Sequence, residues 1–192
     1  MLAEPAASAA PALLGALVHH GEVVVRITEV EAYEGRSDPA SHAFGGSTAR
    51  TAIMFGPPGR LYVYFSYGMH WCANVVCGPD GTASAVLLRA GEVVSGLPLA
   101  RERRGVRVLD RRLATGPACL TRALGIDVVA GGSDLLGDGP VRLLPSGPGT
   151  PAVLSGARVG VSRAADRPWR FWLDGDPTVS TYRRSPRAVD GW

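Results

Sequence analysis

The sequence predicts an α+β fold: a single compact domain, 1–192, with a largely antiparallel, curved β-sheet, a protruding β-hairpin and surrounding helices. Three observations lead there. Strand-like runs cluster before about residue 90, helix-like runs fill about 96–126, and the early strands are joined by turns too short for parallel crossovers.

The Ala-rich start, "MLAEPAASAAPALLGALV", lacks a basic leader region, carries Glu4 and runs straight into a strand, so it is not expected to be a secretion signal. "EVVVRITEVEAY" is the first strong strand. Simple alternation places Val23, Val25, Ile27, Glu29, Glu31 and Tyr33 on one face, which begins apolar and ends in two carboxylates and a ring. A long Gly-rich loop follows, "EGRSDPASHAFGGSTARTAIMFGPPG". Next come "RLYVYF", "MHWCANVV" and "TASAVLLRA", separated by "SYG" and "CGPDG", an antiparallel meander. Pro98 can open a first helix, and "TGPACLTRALG" has Pro117 at a helix start and Gly125 at its end. The last third is rich in Gly and Pro, with short strands "VRLL" and "WRFWL" and the stretch "GARVGV" between them.

Composition narrows the function classes. No stretch approaches the roughly 18 consecutive apolar residues needed to cross a membrane, so no membrane partner and a cytoplasmic location are expected. Cys72, Cys77 and Cys119 include no CxxC pair, which argues against a disulfide framework or a zinc site and for reduced, buried thiols. The Gly-rich loop is neither GxGxxG nor a P-loop, and no histidine pairs with a Cys or carboxylate at ligand spacing. No cofactor or metal is expected. The net charge is +3, and all 20 positive residues are arginine. A chain without lysine cannot form a side-chain Schiff base, so imine catalysis is closed except through the N-terminal amine.

Four groups of residues could carry chemistry. Glu29 reads as a structural carboxylate satisfied by arginine or backbone amides. Glu31, beside Tyr33 and just before a long loop, is the better functional candidate. Tyr62 and Tyr64 share a strand face, and Tyr67 falls in a hairpin turn, poor for a core and good for projecting into a partner. His42 is a candidate pocket residue, whereas His19 and His20 read as a surface turn. "RERRGVRVLDRR" and the later arginines from Arg163 to Arg187 read as a solvated face or as contacts to a nucleic-acid backbone.

In order along the chain, "EVEAYEG", "DPASHAFGG", "TARTAIMFGPPGRLYVYFSYGMHWCANVV", "VLLRA", "GPACLTRALGI", "ARVGVS" and "WRF" followed by "PTVS" resemble the 3-methyladenine DNA glycosylase family of the alkyladenine (methylpurine) type. The resemblance spans about residues 12–182. It implies a base-excision repair enzyme that flips damaged purines from double-stranded DNA and hydrolyses the N-glycosidic bond. Carried over by position, Glu31 would be the base that activates water, with Arg89 helping to hold that water. Tyr33, His42 and Tyr64 would stack on the flipped base, and Asn74 would disfavour the 2-amino group of normal guanine. Tyr67, with Met69 beside it in "YGM", would fill the gap left in the duplex, and Arg50 would contact the DNA backbone. The chain departs from the family loop at Thr51, where asparagine commonly follows the arginine.

The chemistry suits these residues. A cationic alkylated purine is a good leaving group and a cation–π partner for aromatic walls. A buried carboxylate near the sugar stabilises developing positive charge and deprotonates water. With no lysine, the expected enzyme is monofunctional and leaves an abasic site without a strand nick. It is expected to act as a monomer. Two rival readings are a non-catalytic damaged-DNA-binding module and a carbohydrate hydrolase that uses Glu29 and Glu31 as an acid/base pair.

Overall fold

The structure, a computed structural model, describes residues 1–66, 68–147, 149 and 151–191. The strands are β1 (Leu17–His20), β2 (Val23–Tyr33), β3 (Leu61–Ser66), β4 (His70–Val76), β5 (Ala85–Ser95), β6 (Ala114–Thr115), β7 (Val141–Leu144), β8 (Val153–Gly156) and β9 (Arg170–Leu173). The α-helices are α1 (Ala6–Ala9), α2 (Leu97–Arg104) and α3 (Pro117–Leu124). Among the described residues every strand pair is antiparallel, in the order β3-β4-β5-β2-β1-β7, with β6 on β5 and the β8–β9 pair docked on β2. The α+β expectation holds. β2 is central: its first half lies between β1 and β5, and its second half between β9 and β5.

Local chemistry explains the helices. Pro98 and Pro117 stand in the first turns of α2 and α3. Gly125 ends α3 at φ 75°, and the N–H groups of Gly125 and Ile126 close its last carbonyls. The Ala-rich start is core: Leu2, Ala6, Ala9, Ala10, Leu13 and Leu14 are buried beneath the sheet with residues of α2 and α3.

The single face predicted for β2 does not exist. Thr28 is an extra residue in β2 opposite β5, and Arg89 is an extra residue in β5 opposite β2, so the middle of the ladder carries two opposed bulges, besides a register shift at Val94 near its end. The first bulge reverses the alternation. Val23, Val25 and Ile27 join Val30 and Ala32 in the main core, whereas Glu29, Glu31 and Tyr33 turn to the other face. Thr28 and Glu29, adjacent in sequence, both reach the chain segment after β9, Thr28 at Thr178 and Glu29 at Ser180. A second apolar cluster on that other face, with Ala43, Met54, Tyr62, Val76 and Ala85, seats the long loop that follows β2.

Two further expectations change. His19 and His20 are part of β1 and half-buried, and His20 Nδ1 lies 3.0 Å from the Leu124 carbonyl, so they form a packed strand end rather than a surface turn. The arginine run is only partly a solvated face. Arg103 and Arg104 donate to the carbonyls of Ala123 and Leu113 and so tie α2 to the chain around α3, and Arg101 forms a surface pair with Asp110. Arg107, Arg111 and Arg112 remain exposed.

Gly91 sits opposite Ile27 beside the first bulge, where a Cβ would overlap Val25 and the Arg26 carbonyl. Overpacking of this kind costs about 1–3 kcal/mol. Gly91→Ala is therefore expected to lower the unfolding free energy by that amount, read as a lower urea midpoint with an unchanged m-value; an unaltered midpoint would contradict the bulge geometry.

Candidate active site

The two bulges line up one row of side chains across five strands: Tyr62 on β3 faces Asn74 on β4, Asn74 faces Leu87 on β5, and Glu31 on β2 lies between Leu87 and Arg170 on β9. This row floors a cleft of about 610 Å³, roofed by the loop after β2 and by the segment Val159–Arg163. The volume falls in the range of small-ligand sites, roughly 300–1,000 Å³. Glu31, Arg89, Tyr33, His42, Tyr64, Asn74 and Arg50 all line it. Seven residues singled out from the sequence thus meet in one place.

Glu31 is fully buried as a residue yet contributes to the cleft wall. Its Oε1 accepts the Val159 N–H at 2.7 Å and lies 3.4 Å from Arg89 Nη1. Its Oε2 accepts the Tyr33 hydroxyl at 2.8 Å. Tyr33 is therefore more than a wall. Burial, reinforced by the neighbouring Glu31 charge, lifts its phenol pKa well above the usual value and keeps it a donor.

Glu29, on the same side of β2, has a different role. Its Oε1 accepts Arg170 Nε at 2.6 Å, Arg89 Nε at 2.9 Å and the Ser180 hydroxyl at 2.9 Å, and its Oε2 accepts the Ser180 N–H at 2.8 Å. It does not line the cleft. Burial alone would raise its pKa, but the guanidiniums of Arg89 and Arg170 outweigh that and hold it below the ordinary 4.5. Arg89 bridges the two carboxylates, one through Nε and the other through Nη1. Such a buried carboxylate is tolerable only with its charge and lone pairs satisfied.

Aromatic rings form the opposite side. Tyr62 and Tyr64 stack with centroids 5.5 Å apart, and His42 meets Tyr64 edge-on at 4.5 Å. Arg50 lies over Tyr64, 5.3 Å from its centroid, and its Nη2 is 3.5 Å from His42 Nε2. Desolvation and then the Arg50 charge lower the His42 pKa, favouring the neutral imidazole at pH 7. Asn74 donates from Nδ2 to the Tyr62 carbonyl at 3.1 Å, which fixes how its amide is turned. Met69 is 66% exposed at the hairpin tip and lies outside the cleft. Tyr67 lies outside the described residues. Thr51 is structural: its hydroxyl accepts the Thr48 N–H at 2.9 Å and closes the roof loop.

The sequence reading missed the supports. Arg158 is 1% exposed, grips Asp38 through both terminal nitrogens at 2.6 and 2.8 Å, and donates to the Ala32 carbonyl. Arg170, Ser180 and the Val159 N–H complete the surroundings of the glutamates. Their signal was in "DPASHAFGG", "ARVGVS", "WRF" and "PTVS", where Asp38, Arg158, Val159 and Ser180 had no assigned role and Arg170 was read as a surface or nucleic-acid contact.

A buried carboxylate thus opens onto an aromatic cleft with room for a flat, stackable group. Comparison with known proteins identifies the family. The chain belongs to the methylpurine-DNA glycosylase (MPG) family, whose model matches residues 1–177. Relatives named "Putative 3-methyladenine DNA glycosylase" include one from Frankia casuarinae, 54% identical over 196 residues, covering 95% of this chain and 92% of the relative. Others are from Nocardia farcinica, 55% identical over 188 residues with 94% and 89% covered, and Streptomyces avermitilis, 52% identical over 194 residues with 96% and 91% covered. The protein is thus a DNA glycosylase, a DNA-repair hydrolase of N-glycosidic bonds. Among the described residues no helix is long and apolar enough to cross a membrane.

The depressed Glu29 carboxyl sets an acid-stability test. Its folded pKa lies below 4.5, so its stabilising contribution is complete above that value and is lost as the pH falls through the folded pKa. Glu29→Gln should cost most stability near neutral pH, about 3–5 kcal/mol as for other broken buried pairs. The gap to the unsubstituted protein should narrow in urea titrations below about pH 4.5. A gap independent of pH would contradict this assignment.

Proposed function

We propose that this protein draws a damaged purine out of duplex DNA into the cleft and cleaves its N-glycosidic bond with a water activated by Glu31, leaving an abasic site and an intact strand. The observation that carries this reading is the position of Glu31. It is the carboxylate that reaches the cleft wall from the central strand, in the same sheet row as Asn74 and Tyr62.

A flipped purine would lie between Tyr33 on one side and Tyr64 with His42 on the other. Neutral His42 adds no charge against a cationic alkylated base, and the rings supply stacking and cation–π attraction. As the glycosidic bond lengthens, the sugar takes on oxocarbenium character, which an ionised Glu31 stabilises while accepting a proton from water. Arg89, held by Glu29, stands beside Glu31 to steady both the carboxylate and the water. Asn74 is held in the wall where the 2-amino group of guanine would press. Tyr67 and Met69 would enter the duplex in place of the lost base, and Arg50, exposed at the mouth of the cleft, would take a phosphate. We read the enzyme as a cytoplasmic monomer acting on double-stranded DNA, with water its only co-reactant.

The rival readings fare worse. Glu29 is saturated by two arginines and Ser180 away from the cleft, which removes the second carboxylate that a carbohydrate acid/base pair requires. A purely binding module would not need a buried carboxylate at the cleft wall.

Glu31→Gln is expected to reduce single-turnover base release from a hypoxanthine-containing duplex by about 10²–10⁴-fold, with duplex affinity changed less than about threefold. Unchanged base release would remove Glu31 from this role. Borohydride added during turnover should trap no enzyme–DNA adduct, because the chain has no lysine to form the imine. A trapped adduct would show lyase chemistry through the N-terminal amine.

A further inference from the structure

The hydrogen-bond donors on Glu31 are themselves held from one point. Arg158 neighbours Val159, whose N–H bonds Glu31 Oε1 at 2.7 Å. The Arg158 guanidinium also lies 4.7 Å from the centroid of Tyr33, whose hydroxyl bonds Glu31 Oε2 at 2.8 Å. Both oxygens of the carboxylate thus depend on groups that Arg158 adjoins.

Arg158 is itself fastened in unusual detail. It pairs with fully buried Asp38 across the roof loop, donates to the Ala32 carbonyl on β2 at 2.9 Å, and lies between Tyr33 and Trp169, whose centroid is 5.2 Å away. Its Nη2 also points to the carbonyl of Ala164 at 3.4 Å. Ala164 has φ 46°, a left-handed backbone uncommon for a residue with a Cβ, and it is the non-glycine residue with positive φ among those described. A bidentate, stacked and strained arrangement of this kind requires the planar fork of arginine, which the compact ammonium of lysine does not reproduce.

We propose that Arg158, clamped by Asp38, is a positioning residue for the reaction: it sets the Val159 amide and the Tyr33 hydroxyl on the two oxygens of Glu31 and so keeps the carboxylate correctly aimed. The proposal rests on Glu31 being the base. Other charged or titratable groups face Glu31: Glu29 and Tyr33 on β2, Arg89 on β5, Tyr64 on β3, Cys72 on β4 and Arg170 on β9. Of these, Tyr33 is the one a substitution at 158 also reaches, because its ring packs on the Arg158 guanidinium.

The test is single-turnover base release from a hypoxanthine duplex, with duplex affinity and thermal unfolding measured on the same preparations. Arg158→Lys keeps the charge but loses the fork. It is expected to slow the chemical step about 10–100-fold and to leave the duplex Kd within about threefold. Trp169→Leu, which frees one face of the guanidinium without touching its charge, is expected to slow the same step by less, again with Kd within about threefold. It carries the test should Arg158→Lys fail to fold. A folded Arg158→Lys with the original rate would overturn the proposal, as would a Trp169→Leu protein whose chemical step is not slowed. Glu31→Gln run in parallel separates the two layers. If it retains activity, the reading of Glu31 as base fails; if it is inactive while the other variants behave as the unsubstituted protein, only the role of Arg158 fails.

Discussion

Two opposed bulges, at Thr28 in β2 and Arg89 in β5, are the constraint on which the rest of the site depends. A strand of plain alternation would send Val23, Val25 and Ile27 to the same face as Glu29 and Glu31, so either the core would hold two carboxylates or the cleft would be lined with valine. The extra residue at Thr28 reverses the faces at the right point, and the extra residue at Arg89 restores the register while placing a guanidinium beside both acids. The price is a buried anion, Glu29, which is stable only because two arginines and Ser180 satisfy it.

That division of labour also explains why two similar residues on one strand behave differently. Glu29 has its oxygens consumed by groups that hold β5, β9 and the C-terminal segment together. Glu31 has donors on both oxygens but still meets the cleft. One glutamate fixes the scaffold, and the other is presented by it. The all-arginine composition fits this architecture. Arg26, Arg89, Arg158 and Arg170 each hold more than one acceptor, a task for a planar fork with five donors rather than a point charge.

How much of this was legible in the sequence follows from the range of each interaction. A continuous helical section over about 96–126 does not exist, since α2 stops at Arg104 and β6 intervenes before α3, but the meander of β3, β4 and β5, the starts of α2 and α3 and the end of α3 are set by local turn residues and prolines, and they read correctly. So did the convergence of Glu31, Tyr33, His42, Tyr64, Asn74 and Arg89, because ordered motifs carried those positions. The bulge did not, since a one-residue insertion changes the side-chain period without leaving a compositional mark. The supports of Glu31 were missed because they come from far along the chain: Val159 lies 128 residues from Glu31, and Arg158 lies 120 residues from Asp38. The run around Arg101–Arg112 reads as surface by charge alone, whereas carbonyls at and near α3 draw Arg103 and Arg104 inward.

On this reading β2 presents Glu31 to the reacting sugar while Glu29 stays locked in the scaffold. The most direct measurement is a crystal structure of the Glu31→Gln protein bound to a duplex with one hypoxanthine opposite thymine. The expected structure has the purine turned out between Tyr33 and Tyr64, residue 31 beside the sugar C1′, and Glu29 still bonded to Arg89, Arg170 and Ser180. A purine left stacked in the duplex, or a sugar lying nearer residue 29 than residue 31, would contradict it.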